Sequence, residues 1–183
     1  MKTRRLGVVA LLVVTNCHRS PDPASALARA DAAATRFVSD LRARLQSAMR
    51  EGGPVGAVDV CAMEAPAIAT RVSTETGVRV GRASLRTRNP ANVAPPWVAT
   101  WLQQQGERSA EGVVGFRTVE GGVARVLRPI AVEGVCVVCH GDPESIAPVL
   151  REALRARYPT DRATGYRVGD LRGALWAEAS LGR

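Results

Sequence analysis

Cys136-Val137-Val138-Cys139-His140 sets two thiols three positions apart and an imidazole directly behind the second. This is the pattern for covalent attachment of a c-type haem, one per motif. The thiols add across the two haem vinyl groups to give thioethers, and the adjacent histidine reaches the iron as an axial ligand. The pentapeptide takes two of the four cysteines and one of the two histidines in the chain. Two other chemistries use the same residue types. A redox or structural disulfide of the thioredoxin kind calls for a parallel strand before the pair and a helix opening at it, whereas Gly141, Asp142 and Pro143 here signal a turn. A zinc site built from Cys61, Cys136, Cys139 and His140 leaves the histidine's position directly after the second cysteine without a reason.

A six-coordinate haem needs a second axial ligand, and His18, Met49, Met63 and Cys61 are the candidates. His18 lies close to the amino terminus. Met63 and Cys61 share a helical segment, but two residues turn a helix by about 200°, so they face different ways. Cys61 lies on the apolar stripe of Val58, Ala65, Ile68 and Val72, while Met63 falls with Asp59, Pro66 and Thr70. Ala62, Ala65 and Ala69 leave room beside Cys61 for a flat macrocycle. From the residues alone Cys61 reads equally as a thiolate ligand and as a small buried hydrophobe. Met49, at the end of the preceding helix, is an alternative thioether ligand. Haem propionates need cationic partners, and Arg82, Arg88, Arg125 and Arg128 lie in segments flanking the expected pocket. Tyr158, Asp161 and Tyr166 are expected to hold the loop after the motif, and Trp97 and Trp101 to anchor the core.

The elements that must position these residues follow from periodicity. Leu27, Ala30, Ala34, Phe37, Leu41, Leu45 and Ala48 recur at three- and four-residue steps, an amphipathic helix ended by Gly52, Gly53 and Pro54. A second helix is expected from about Val55 to Glu75, with Gly77 as its stop. Val78 to Leu85 alternates like a strand, and a Pro-rich loop from Arg86 to Pro96 leads to a short helix around Trp97 and Trp101. Gly112–Val119 and Val123–Val132 flank Glu120-Gly121-Gly122 as a hairpin. Glu144 to Tyr158 reads as a helix interrupted near Pro148, and Leu171 to Leu181 as a last strand. The sum is an α+β fold, helices packed on a small antiparallel sheet.

The chain has 183 residues, 46% of them apolar, enough for one domain with a real core. The formal charge is +8, and Lys2 is the only lysine among 25 basic residues. A nucleic-acid surface should interleave clustered cations with aromatics, yet aromatics make up 4% of the chain and no such cluster occurs, so nucleic acid is not an expected partner. Residues 1–16 carry Lys2, Arg4 and Arg5 and then the apolar run Leu6 to Val14, too short to span a bilayer, which reads as a secretory signal peptide. Three of the eight net charges leave with it. Val14, Thr15 and Asn16 before Cys17 resemble a lipoprotein cleavage box, with Asn16 where a small residue is usual. A lipid on Cys17 is the one membrane attachment expected, and the predicted location is periplasmic or otherwise extracytoplasmic. Residues 17–23 form a short linker and 24–183 the domain.

Taken in order, Val60-Cys61-Ala62, Ala65-Pro66-Ala67-Ile68-Ala69, Gly81-Arg82-Ala83-Ser84-Leu85 and Arg88-Asn89-Pro90-Ala91-Asn92 form one set of blocks. Arg128-Pro129-Ile130, Cys136 to Gly141, Tyr158-Pro159-Thr160-Asp161 with Ala163, Gly165 and Tyr166, and Gly169-Asp170-Leu171-Arg172-Gly173-Ala174 continue it. Together they resemble the small PAS-like c-type haem domains, first typified by a cyanobacterial cytochrome and also found as extracytoplasmic sensor modules of bacterial receptors. The resemblance runs from about Ala24 to Leu181. It implies a PAS-like fold, haem c through Cys136 and Cys139, His140 as proximal ligand and a cysteine distal ligand at Cys61. It also leaves open a homodimer through the amino-terminal helix. The chain departs from the family at Pro95-Pro96-Trp97-Val98, where an acid usually stands beside the tryptophan.

Three functions fit such a site. An exported cytochrome passing single electrons is favoured, because the sequence holds the haem domain and no output domain, and a strongly donating thiolate would set a low potential. A redox or diatomic-gas sensor would need a partner protein as transmitter. An enzyme such as a peroxidase needs a distal acid–base group, for which no second dependable histidine remains.

Overall fold

A computed structural model describes residues 22–182. The expected signal peptide, Cys17 and His18 therefore lie outside the described residues. Among the described residues no helix is long and apolar enough to cross a membrane.

Helix α1 (Pro23–Asp59) begins as its sequence directs: Asp22 caps it by accepting from the Ala24 and Ser25 amides, both at 3.1 Å, with Pro23 at the first helical position. It is two helical segments around a break, for Gly53 adopts φ 61° and ψ −162° just before Pro54. The expected turn is thus where Gly52-Gly53-Pro54 placed it. Beyond it the chain runs back along the first segment, as the ion pairs show. Arg44 meets Glu64, Asp40 meets Arg71 at 2.9 Å and Arg36 meets Glu75, with one partner's number falling as the other's rises.

The returning segment is not a uniform helix. A π-helical turn, Val60–Glu64, separates α1 from α2 (Ala65–Thr76), and the Ala65 amide bonds to the Val60 carbonyl five residues back. Pro66 supplies the reason. It has no N–H to offer the Ala62 carbonyl, and its ring crowds that same carbonyl, so the α-helical ladder is interrupted there. Helix α2 then ends on Gly77 in the left-handed conformation, φ 66°.

Four strands, β1 (Val78–Ala83), β2 (Phe116–Glu120), β3 (Val123–Ala131) and β4 (Leu171–Ser180), form an antiparallel sheet in the order β1-β4-β3-β2. The hairpin turn between β2 and β3 is Gly121-Gly122, both at positive φ. The last strand lies inside the sheet, and this explains its nearly continuous apolar run: Leu175, Ala177 and Ala179 pack under the helices, Ala174 and Trp176 on the other face. The helix side is filled by Ala30, Ala34, Phe37, Val72, Val78 and Val126. On the other side lies α3 (Pro96–Gln105), whose Val98, Trp101 and Leu102 are buried, and Trp97 donates to Glu178 at 2.8 Å. Both tryptophans are core anchors, as expected. Gly81 faces Trp176 so closely that a Cβ there would lie 2.6 Å from the indole.

The motif forms a 3-10 turn (Gly134–Cys136) running into α4 (Val137–His140), and the segment expected as an interrupted helix is a 3-10 turn (Pro143–Ser145) followed by α5 (Pro148–Arg157). The α+β fold is as the periodicity requires.

Candidate functional site

A cavity of about 220 Å³ opens where the returning helix, the sheet and the motif meet. Leu45, Met49, Ala57, Val58 and Cys61 line it from the helices, Arg82, Ala83, Ile130 and Ala131 from β1 and β3, and Cys136, Cys139 and His140 from the motif. Arg88, Asn89, Leu154, Tyr158 and Arg172 line it too. Residues 75 positions apart, Cys61 and Cys136, are thereby brought to one space. The three described cysteines are free. Among the described residues no group of three or more His, Cys, Asp or Glu side chains is arranged to hold a metal ion by itself.

His140 lines this cavity with its ring tied to the main chain. Its Nδ1 lies 2.6 Å from the Ala163 carbonyl, an acceptor, so the proton is assigned to Nδ1 and Nε2 is left as a bare donor atom. Burial, then Arg88 and Arg172, push its pKa down to about 3, and the imidazole stays neutral. The ring stands edge-on to Tyr166, with centroids 6.4 Å apart. The Tyr166 amide donates to the His140 carbonyl at 2.9 Å, and Gly165 to Gly141. Gly141 has to be glycine, since a Cβ would lie 2.5 Å from the Val137 carbonyl that accepts its amide. Burial raises the Cys139 thiol's pKa, with Arg88 partly opposing it.

Arg88 is 7% exposed and ties the motif to the loop that follows it. Nε donates to Asp161 at 2.8 Å, while Nη2 donates to the carbonyls of Cys139 and Ala163. Asp161 in turn accepts from the Ala163 amide at 2.8 Å. Arg88 therefore braces the motif and also stands on the cavity wall, where it is expected as a propionate partner. Arg82 lines the cavity and has no ion pair among the described residues, and Arg172 lines it while donating to Ser84 at 2.6 Å. Burial lowers the pKa of Arg172 and its neighbours Arg82 and Arg88 lower it further, so three cations crowd one flank of the cavity.

Arg128 is a correction. It lies outside the cavity wall and pairs with Asp31 at 2.8 Å and Thr35 at 3.0 Å, because the first turns of α1 present a carboxylate to it. Arg125 likewise turns to Glu178 and Glu120.

Cys61 faces the cavity from the π-turn, whereas Met63 is 61% exposed. Met49 also reaches the wall. The Ala62 carbonyl freed by Pro66 accepts from the Asn89 side chain at 3.3 Å, and the Asn89 side-chain oxygen Oδ1 accepts from the Ala91 amide at 2.9 Å. The Asn89-Pro90 loop thus pins the turn that carries Cys61. Sequence reasoning assigned no site role to Arg172 or Asn89 and expected Tyr158 only in the loop. The signals were an arginine in an apolar strand and a proline four residues after Ala62.

These features define an α+β domain whose Cys-x-x-Cys-His turn is braced against a sulfur-, arginine- and apolar-lined cavity. The chain belongs to the Tll0287-like family, whose sequence model matches residues 22–178. Among solved structures it is similar to the cyanobacterial haem protein Tll0287, at 29% identity over 66% of this chain and 70% of that one, with a TM-score of 0.52. No curated protein matches the chain.

Proposed function

We propose that the chain is an exported c-type cytochrome of PAS-like fold. One haem is attached through Cys136 and Cys139, His140 is the proximal ligand and Cys61 the distal one, and the site passes single electrons at low potential. The observation that carries this reading is the convergence of Cys61 and the Cys-x-x-Cys-His turn on one cavity, with His140 Nε2 left free. The relative's haem supports it. When bound, the haem supplies a ferric/ferrous couple. Cys61 binds as thiolate and, as a strong donor, favours the ferric state. His140 stays neutral and oriented by Ala163. The wall of Leu45, Val58, Ile130 and Leu154 is apolar, and Arg82 and Arg172 would hold the propionates. The redox partner, the lipid on Cys17, the homodimer and the periplasmic location belong to this same proposal.

A second reading, a redox or gas sensor working through a partner, draws on the π-helical turn. Such turns recur at functional sites, and a thiolate held from one can leave on reduction and open the iron.

The test is the visible spectrum of the haem-matured protein, ferric, ferrous, and ferrous with carbon monoxide. The expected result is covalent haem with a low-spin thiolate signature that is lost in Cys61→Ala and kept in Met49→Leu. An unchanged ferric spectrum in Cys61→Ala overturns the ligation, and absence of covalent haem overturns the whole reading. Rapid carbon monoxide binding after reduction selects sensing, and an inert ferrous haem selects electron transfer.

A further inference from the structure

We propose that the Tyr158 hydroxyl donates a hydrogen bond to the Cys61 sulfur and thereby tunes that thiolate as an iron ligand. The inference rests on the ligation proposed above.

Tyr158 follows α5 and is 4% exposed, yet its hydroxyl oxygen, fully buried, has no hydrogen-bond partner among the described residues. An unmet buried hydroxyl is unfavourable, so this one calls for an acceptor that appears when the site is complete. The side chain lines the cavity that Cys61 lines. Its ring cannot swing away: Val58, Leu150 and Leu154 pack around it, Ala62 and Cys139 lie against that cluster, and the Arg88 guanidinium sits 6.0 Å from the ring centre.

Two sulfurs, Cys61 and Cys139, line the same cavity as Tyr158. Cys139, once it forms a thioether, is a weak acceptor, whereas a thiolate at Cys61 is a strong one. Burial keeps the proton on the Tyr158 oxygen, so the phenol is the donor. A hydrogen bond to a ligand sulfur draws electron density from it, so Tyr158 weakens the iron–sulfur bond and raises the potential from the value a bare thiolate would set.

The experiment uses the haem-matured protein. Tyr158→Phe removes one oxygen and leaves the ring. It is expected to raise the iron–sulfur stretching frequency in resonance Raman and to shift the ferric/ferrous equilibrium about tenfold toward ferric, a fall of about 59 mV for one electron. The same substitution on a Cys61→Ala background is expected to leave the potential where Cys61→Ala alone sets it. In the unaltered protein, exchange into deuterium oxide is expected to move the iron–sulfur stretch, a readout that depends on no variant folding. If Cys61→Ala alone leaves the ferric spectrum intact, the ligation reading has failed and this one with it. If Cys61→Ala changes the spectrum while Tyr158→Phe and deuterium leave the iron–sulfur stretch unmoved, the role of Tyr158 alone is overturned. Equal shifts of potential in both backgrounds also overturn it, since the hydroxyl would then serve another acceptor such as a propionate.

Discussion

His140 and Arg88 hydrogen-bond to the same acceptor, the main-chain carbonyl of Ala163, at 2.6 and 3.4 Å. Arg88 also holds the Cys139 carbonyl, and Asp161 closes the set by taking both Arg88 Nε and the Ala163 amide. The imidazole thus shares its acceptor with a residue 52 positions away in the chain. Arg88→Ala should leave a nearly buried carboxylate and two carbonyls without their partner, at a cost of about 3–5 kcal/mol. Arg88→Lys should recover only part of it, because an ammonium cannot reproduce the planar fork. Chemical denaturation of the three proteins measures the loss.

Acid should act on His140. Its folded pKa is about 3 against an ordinary 6.5, so between these values the unfolded chain binds a proton that the folded chain refuses. This group contributes nothing to the pH dependence above about pH 6.5. As pH falls from there toward 3, the haem-free chain should lose stability, on the order of a few kcal/mol from this group. Denaturant titrations from pH 7 to 4 should show that slope, and His140→Gln should flatten it.

The break at Gly53, the stop at Gly77 and the Gly121-Gly122 turn were legible because each requires a backbone conformation that glycine adopts without strain. The motif and the Cys61 stripe were legible as patterns. Strand order was not: nothing local states that β4, last in the chain, inserts between β1 and β3, and only its unbroken apolar run hints at burial on both faces. The role of Arg88 was hidden for a related reason, since its partners Asp161 and Ala163 are more than 70 residues away and meet it only once the sheet has formed.

Pro66 should govern where Cys61 points. Pro66→Ala restores an N–H that can bond to the Ala62 carbonyl, competing with Asn89 and favouring an ordinary α-helical turn in place of Val60–Glu64. The thermal midpoint should rise or hold, since helix interior proline is unfavourable by about 3 kcal/mol. The ferric low-spin spectrum should weaken, because the register of Cys61 shifts. Stability and ligation are expected to move in opposite directions, which a simple loss of structure cannot produce. Calorimetry and the ferric spectrum, recorded on one preparation, decide it.

Arg82 and Arg128 make a matched comparison. Both pair with Leu175 across β4, one from each side, so they stand in one row on the helix-facing side of the sheet. Their fates differ because Asp31 and Thr35 on α1 take Arg128, while Arg82 meets no carboxylate among the described residues and lines the cavity. A cation beside the iron site disfavours the more positive ferric state. Arg82→Ala should therefore lower the potential by tens of millivolts, on the order of a tenfold change in the ferric/ferrous ratio at most. Arg128→Ala should leave both potential and spectrum unchanged and cost no more than about 1 kcal/mol of stability, as for a partly exposed ion pair. Potentiometric titration of the two variants separates the cation that serves the site from the one that ties the helix to the sheet, and equal shifts would show that charge alone, without position in the cavity wall, sets the potential.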